Sequence, residues 1–242
     1  MKQNDGCPMI VSQLWRYPVA SIGGYETGRL DFNESGVFGD RSSFLIDLTT
    51  GETAAPEKSA RWRQALQLSA ASRDGSVFVN GSHWTFALDD ERLDDALSEH
   101  FGFRCGVRSS GASVVAHDGE IEVRSRYEIA PLHIVFAEEM HALQSALPDT
   151  TIDARRFRPN VVIEGGSLEN IAVGSRFAIG DRSMTITEKT KRCGMTMIAQ
   201  DGLTEDAEIL RTIVRQRSRC FGVYAAVSGD GAIAVGAELT PS

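Results

Sequence analysis

The sequence is poor in cysteine and has no excess of positive charge. Its four cysteines (Cys7, Cys105, Cys193 and Cys220) stand far apart, and none forms a Cys-x-x-Cys pair. This spacing excludes the usual iron–sulfur and zinc motifs and gives no sign of a disulfide framework in a chain of 242 residues. The formal net charge of -8 argues against general nucleic-acid binding, which needs a basic surface to displace counterions. We expect reduced thiols and no nucleic-acid partner.

Signatures of membrane targeting and of common catalytic sites are also missing. No apolar run of 18 residues occurs, and residues 1–10 are polar without a signal-peptide core, so we expect a cytoplasmic protein with no membrane association. The five histidines show no His-x-x-x-His spacing, which disfavours a zinc hydrolase. Neither Gly-x-x-x-x-Gly-Lys nor Gly-x-Gly-x-x-Gly is present, so no nucleotide site of those kinds is predicted.

Short apolar segments separated by glycines dominate what is present. Between residues 11 and 47 this pattern predicts short strands with glycine turns, and a closed or nearly closed barrel is one natural result. Asp74-Gly75 predicts a hairpin between strands at 65–70 and 77–80, although residues 60–70 could instead be helical. Further hairpins are predicted to turn at Asp118-Gly119 and Gly180-Asp181, with buried strands at 131–136 and 160–164.

Three segments have the spacing and end signals of helices. They are residues 90–101, capped by Asp89 or Asp90, residues 137–147, which end before Pro148, and residues 204–217, capped by Thr204. The last two strands, 221–227 and 232–239, are predicted to meet at Gly229-Asp230-Gly231. The sequence therefore predicts a mainly β protein with a few helices, in two interlocked parts without a flexible tether.

Two short segments combine positive charge with groups that can bind ligands. Residues 156–160 read Arg-Phe-Arg-Pro-Asn, and residues 191–193 read Lys-Arg-Cys. Pro159 fixes a turn and predicts an extended backbone at Arg158, from which a guanidinium could be directed at a phosphate. Two cations close to Cys193 would favour its thiolate, the form that binds soft metals. The alternatives are a small buried cysteine and, favoured for Arg155 and Arg156, surface arginines paired with acids.

These segments, taken together, resemble the MOSC domain, the fold of the C-terminal region of molybdenum cofactor sulfurase. The nearest kind is the amidoxime-reducing component of mitochondria and its bacterial relatives. Residues 14–19, 39–41, 220–224 and 231–233 resemble further strands and turns of that family in the expected order. The resemblance implies a MOSC-type β-barrel core at residues 101–242, preceded by an N-terminal β-barrel-like region at residues 1–100.

The resemblance also implies a cofactor and its ligands. The cofactor would be the molybdenum cofactor, molybdopterin, with Cys193 as the metal ligand. Its other contacts would be Ser21, Arg41, Arg158, Asn160, Lys191 and Arg192. Asp201 lies where the family commonly has an acid that could orient substrate or relay a proton, although Asp-Gly is also a common turn. Ala20 stands where the amidoxime-reducing relatives usually carry lysine, so one cation is missing.

The implied reaction is the two-electron reduction of an N-oxygenated small molecule, with Cys193 and Asp201 as catalytic residues. Because the chain has neither a ferredoxin-like cysteine set nor a flavin motif, electrons would come from a separate protein. The alternative is a sulfur carrier, in which Cys193 holds a persulfide supplied by a separate cysteine desulfurase. A third possibility is a MOSC scaffold that binds some other anion.

Overall fold

A computed structural model of the protein describes residues 8–117, 119–125, 130–166, 171–179 and 182–242. The strands are β1 (Met9–Arg16), β2 (Val19–Ala20), β3 (Tyr25–Glu26), β4 (Arg29–Asn33), β5 (Gly36–Val37), β6 (Ser43–Asp47), β7 (Ser69–Arg73), β8 (Ser76–Asn80), β9 (Thr85–Ala87), β10 (Cys105–Ser109), β11 (Ser113–Ala116), β12 (Gly119–Glu122), β13 (Leu132–Phe136), β14 (Val161–Glu164), β15 (Arg176–Ile179), β16 (Arg182–Lys191), β17 (Cys220–Val227), β18 (Gly231–Ala234) and β19 (Glu238–Pro241). The α-helices are α1 (Leu93–Phe101), α2 (Ala137–Ala146) and α3 (Ala207–Arg217), and 3-10 helices span Ala60–Gln67, Ala154–Arg156 and Gly194–Met197. Cys7, Asp118 and the predicted turn at Gly180-Asp181 lie outside the described residues.

A closed barrel of seven strands forms the larger core. The strand order is β14-β13-β17-β16-β15-β19-β1, and β1 pairs back with β14, so closure leaves no edge within the ring. Neighbouring strands are antiparallel, except for the parallel pair of β13 and β14. Apolar side chains such as Leu14, Ile134, Val161 and Ala225 fill the interior. The predicted mainly β fold with a MOSC-type barrel is confirmed.

Helices α2 and α3 pack on the outside of the barrel. Leu143 of α2 and Ile209 and Ile213 of α3 form one apolar cluster with Phe157 and Phe221. This cover explains why all five residues of β13 are buried, since one face of the strand lies in the barrel and the other lies beneath the helices.

A second core lies among the small sheets of the N-terminal region. The sheets β10-β6-β2 and β7-β8-β9 surround it, together with α1 and the 3-10 helix Ala60–Gln67. The two parts of the chain exchange strands, because β1 completes the barrel while β10 pairs with β6. The division at residue 100 stays a prediction, and this exchange agrees with the interlocking that the sequence indicated.

Several local predictions are confirmed and others are wrong. Asp74 and Gly75 turn the β7–β8 hairpin with φ values of 50° and 82°, as a tight two-residue turn requires. The strand predicted at 65–70 is wrong, because Trp62, Ala65 and Leu66 are buried at the spacing of a helix and residues 60–67 form one. The helical alternative is therefore the right one, and the strand begins afterwards at Ser69.

Both predicted helix caps are wrong. Helix α1 begins at Leu93 without a side-chain cap, and the carboxylate of Asp90 accepts a hydrogen bond from the backbone of Arg92 before it. Helix α3 begins at Ala207 and is capped by Asp206, whose carboxylate accepts from the Glu208 N–H at 2.8 Å. Thr204 lies ahead of the helix, where its carbonyl accepts a hydrogen bond from Arg156.

The predicted final hairpin is also wrong. Strand β17 belongs to the barrel, whereas β18 pairs with β4 in a separate small sheet. The chain then returns to the barrel as β19, which pairs with β15 and β1. Gly236, with a φ of 87°, lies in the connection between β18 and β19 and donates a hydrogen bond to the Val11 carbonyl. One predicted strand is thus two strands in different sheets.

Candidate functional site

A cavity of about 410 Å³ lies between the barrel and the N-terminal sheets. All but one of the predicted site residues line it: Ser21, Arg41, Arg158, Asn160, Lys191, Arg192 and Cys193. The volume falls within the roughly 300–1,000 Å³ of small-molecule sites. Folding therefore brings together side chains from both halves of the sequence.

Asp201 is the exception. It is exposed on a turn, where its backbone carbonyl accepts a hydrogen bond from Arg155, and it is absent from the cavity lining. Gly202 follows with a φ of 72°, in keeping with the turn that Asp-Gly also suggested. Among the described residues, the carboxyl residue that does line the cavity is Glu57, which was not predicted from the sequence. Glu57 lies beside the chain that follows Cys193, since a Cβ on Gly194 would meet the Glu57 Cβ at 3.3 Å.

Arg158 adopts a left-handed backbone, so the predicted extended geometry before Pro159 is wrong. Its φ is 56°, and that of Arg41 is 50°. Two hydrogen bonds to the Arg158 carbonyl hold this conformation, one from Arg41 Nη2 at 2.9 Å and one with His133 Nδ1 at 3.1 Å. A left-handed non-glycine residue costs roughly 1–2 kcal/mol, and such residues persist at functional sites where the surroundings fix them.

Asp40 and Asn160 connect the strands behind the cavity. The buried carboxylate of Asp40 accepts from the Tyr17 N–H at 2.7 Å, from Asn160 Nδ2 at 3.1 Å and from Arg41. Asn160 Oδ1 accepts from the His133 N–H at 3.2 Å, and its Nδ2 also reaches the Trp15 carbonyl at 3.4 Å. The Asn160 amide is thus engaged with the protein, and its predicted contact with a pterin stays a prediction.

His133 connects Arg158 and Arg192 through its two ring nitrogens. Its Nε2 lies 3.3 Å from Arg192 Nη1, and because a guanidinium can only donate, Nε2 must accept. The proton therefore sits on Nδ1, which donates to the Arg158 carbonyl. Burial, followed by the charge of Arg192, holds the pKa of His133 well below its usual value, so the ring is neutral. No histidine was predicted here, since His133 has no partner nearby in sequence.

Cys193 presents a half-buried free thiol to the cavity. It follows β16 and precedes the 3-10 helix Gly194–Met197, where its carbonyl accepts from Thr196 Oγ1 at 3.1 Å. Cys105 shows the alternative that was considered for Cys193, a small cysteine sealed in the core. Burial raises the pKa of the Cys105 thiol to about 12, so that thiol stays protonated.

The other two arginines of the 155–158 segment have structural roles. Arg155 pairs with Asp153 at 2.8 Å, as predicted. Arg156 was expected at the surface, but it is fully buried and donates to the carbonyls of Thr151 at 3.0 Å and Thr204 at 2.8 Å. Its guanidinium satisfies backbone oxygens that would otherwise lack donors, which is why it can be buried without a carboxylate partner.

The cavity lining carries more positive than negative groups. Among the residues that the structure describes, the lining has four cationic side chains, those of Arg41, Arg158, Lys191 and Arg192, and one carboxyl residue, Glu57. Burial, with the nearby charge of Arg41, lowers the pKa of Arg158 to about 10, and burial also lowers that of Arg192. The lowered pKa values mean that burial and neighbouring positive charge outweigh the compensating groups around Arg158 and Arg192. The arrangement therefore favours an anionic ligand.

A family model described as the MOSC domain matches residues 122–240. The chain contains a MOSC domain. Among solved structures, this MOSC protein is similar to the YUAD protein from Bacillus subtilis, with 15% identity over 97% of this chain and 96% of that chain and a TM-score of 0.52. At that identity the likeness shows the fold alone.

A second solved structure, YiiM from Escherichia coli, has 12% identity over 98% of this chain and 69% of that one. The TM-score of this second comparison is 0.47. No curated protein matches this MOSC protein. Within the ranges that the structure describes, its helices are all too short or too polar to cross a membrane.

Proposed function

We propose that this MOSC protein binds the molybdenum cofactor in its cavity and catalyses the two-electron reduction of N-oxygenated small molecules. The observation that carries the proposal is that the Cys193 thiol lines the same cavity as Arg41, Arg158 and Arg192. A thiol and a group of poorly compensated cations are what a ligand with both a soft metal and a phosphate requires.

The residues present fit such a group. The buried Nε of Arg192 lacks a hydrogen-bond partner within the described ranges, so it offers a donor to a ligand. Nowhere in those ranges do three His, Cys, Asp or Glu side chains converge as a metal site. A metal held through Cys193 would therefore take most of its donor atoms from the cofactor, as the dithiolene of molybdopterin provides.

Each side chain then has a defined task. Arg41, Arg158 and Lys191 would bind the phosphate, Arg192 would donate to the pterin, and Cys193 would coordinate the metal as a thiolate. Ser21 Oγ donates to the Ala54 carbonyl at 3.0 Å, which leaves its oxygen as an acceptor. When bound, the cofactor supplies the redox chemistry at its metal, while the protein positions it and limits the access of water.

The reaction also needs electrons and protons. Cleavage of an N–O bond to give the reduced nitrogen and water consumes two electrons and two protons. We propose a separate electron-donor protein as the source of the electrons. Glu57 lines the cavity and Asp201 does not, so Glu57 is better placed to pass protons to a substrate there.

Elemental analysis of freshly purified protein tests the proposal. We expect about one molybdenum per chain in the wild type and a loss of most of it in Cys193→Ala, because a metal bound through one protein thiolate depends on that thiolate. Cys220→Ala is the matched control, since Cys220 does not line the cavity, and it should keep its molybdenum. Wild-type protein that lacks molybdenum when produced in cells that make the cofactor would overturn the proposal.

One observation favours sulfur transfer as a second candidate. Ala20 lines the cavity, so a lysine at that position would have added a cation to the site. In this alternative, Cys193 would carry a persulfide supplied by a separate cysteine desulfurase. Intact-protein mass spectrometry would then show one additional sulfur atom that is removed by reductant and absent from Cys193→Ala, with no molybdenum in the sample.

A further inference from the structure

Two arginines of the cavity share one aromatic ring. The guanidinium carbon of Arg158 lies 4.4 Å from the centroid of the Tyr17 ring, and that of Arg41 lies 4.9 Å from it. Tyr17 is 1% exposed and is not among the residues that line the cavity. Its ring therefore contacts both cations from behind, and any effect it has on a ligand must pass through them.

Such a contact matters because the two cations repel each other. Arg41 and Arg158 belong to different parts of the chain, and the charge of Arg41 contributes, after burial, to the lowered pKa of Arg158. The face of an aromatic ring carries negative potential and attracts a guanidinium most strongly where water is excluded. One buried ring thus offsets part of the cost of holding both cations close together.

The backbone of Tyr17 takes part in the same arrangement. The Arg41 N–H donates to the Tyr17 carbonyl at 2.6 Å, and the Tyr17 N–H donates to Asp40 Oδ1 at 2.7 Å. Arg41 in turn donates to the Arg158 carbonyl. The Tyr17 hydroxyl, by contrast, is buried without a hydrogen-bond partner in the ranges that the structure describes. The ring, and not the hydroxyl, contacts the guanidinium groups.

We propose that Tyr17 is the positioning residue of the anion site, and that its ring sets the affinity of the cavity for phosphate groups by holding Arg41 and Arg158 side by side. The inference rests on the proposed function, because it concerns the same cavity. The inference goes beyond the proposed function, because it assigns an effect on ligand affinity to a residue that does not contact the ligand.

Inorganic pyrophosphate is the probe, with protein from a host that does not synthesise molybdopterin. Its affinity is measured by protection of Cys193 from iodoacetamide, followed by mass spectrometry on the Cys193 peptide. Loss of the ring in Tyr17→Leu should weaken binding about tenfold, the size expected for two partly desolvated cation–π contacts. Tyr17→Phe keeps the ring and should bind within twofold of the wild type.

Two further variants make the result independent of folding defects. Phe177→Leu removes a buried aromatic ring that belongs to the barrel core and is not among the residues that line the cavity, and it should leave pyrophosphate affinity unchanged. Tyr17→Met offers a second loss of the ring with a longer side chain, should Tyr17→Leu fail to fold, and it should also weaken binding about tenfold.

The positioning role is overturned if the variants without the ring bind pyrophosphate as tightly as the wild type, if Tyr17→Phe is as weak as Tyr17→Leu, or if the wild type does not bind the probe. The proposed redox function is judged separately, by the molybdenum content of wild-type protein. Protein that holds molybdenum and yet binds pyrophosphate equally well with and without the ring would refute the role of Tyr17 alone.

Discussion

Two cavities of nearly equal size differ in how the protein pairs the arginines that line them. The first is the cavity of the candidate site, and the second, of about 390 Å³, lies beside α2 and the start of β17. Each is lined by a cysteine, a lysine and at least one arginine. In the second cavity, Arg217 lies 3.2 Å from the carboxylate of Glu139, which also accepts from the Gly222 N–H at 2.9 Å.

The first cavity is balanced less completely. Arg41 pairs with the buried carboxylate of Asp40, but Arg192 donates to the Phe157 carbonyl at 2.8 Å and Arg158 donates to the Ile22 carbonyl. A carbonyl satisfies an N–H group but does not neutralise the charge. Composition alone would not separate the two cavities. What separates them is that Arg217 of the second cavity has a carboxylate partner, whereas Arg158 and Arg192 of the first cavity have none among the residues that the structure describes.

The largest expected effect comes from removing one arginine from each cavity. Arg158→Met should weaken pyrophosphate binding about 100-fold, because a charged hydrogen-bond donor is lost from a buried site. Arg217→Met is the matched control and should leave that affinity within twofold. It should instead lower the free energy of unfolding by about 2 kcal/mol, since Glu139 loses its partner while Arg217 is a quarter exposed. Affinity is measured by protection of Cys193, and stability by urea unfolding.

Equal losses of pyrophosphate affinity in Arg158→Met and Arg217→Met would break the comparison. They would mean that the anion is attracted by the overall field of the protein and not by the arginines of one cavity. Measuring pyrophosphate affinity at increasing salt concentration separates these two explanations. Added salt screens long-range attraction between exposed charges more than it weakens a buried contact.

A smaller effect is expected from His133 in the first cavity. Since its folded-state pKa is depressed, the unfolded chain takes up a proton first as the pH falls, and the folded protein loses stability below the ordinary histidine pKa of about 6.5. The slope should approach about 1.4 kcal/mol per pH unit. The charged and titratable groups around the ring are Arg192, Arg158, Arg41 and Tyr224.

Urea unfolding of the wild type and of His133→Gln between pH 7.5 and 5 measures this slope, a range that brackets the ordinary histidine pKa of about 6.5. The glutamine can still accept from Arg192, and it does not titrate, so the difference between the two proteins isolates the histidine. A difference that stays constant across this range would show that His133 takes up its proton at the same pH in the folded protein as in the unfolded chain, contrary to its hydrogen bond with Arg192.

The sequence could predict several residues that line the cavity, but not how they are held. Arg158, Arg192 and Cys193 were recognisable because they belong to short segments that resemble those of a family. Glu57 and His133 carry no such local signal and reach the cavity only through strand pairing. Asp201 was misplaced for the same reason, since its distance from Cys193 along the chain says nothing about where the turn at Gly202 points.

The fold shows a similar division between local and long-range information. Apolar patterns and glycine turns correctly predicted a β-rich fold, and Asp74-Gly75 correctly predicted the β7–β8 hairpin. The final hairpin failed because its partners are distant: β18 needs β4, and β19 needs β1. The left-handed backbone of Arg158 likewise depends on hydrogen bonds with Arg41 and His133, which local preferences before proline do not include.

The smallest expected effect concerns Glu139 in the second cavity, and its sign is opposite to that of His133. Burial raises the pKa of Glu139 against the opposing pull of Arg217, so the unfolded chain ionises first as the pH rises. The stability of the wild type relative to Glu139→Gln should therefore fall as the pH increases above the ordinary glutamate value of about 4.3. We expect a smaller change than for His133, because Arg217 and the Gly222 N–H stabilise the ionised carboxylate. Urea unfolding at pH 4 to 7 measures it, and a relative stability that rises with pH would mean that the Arg217 pair outweighs burial.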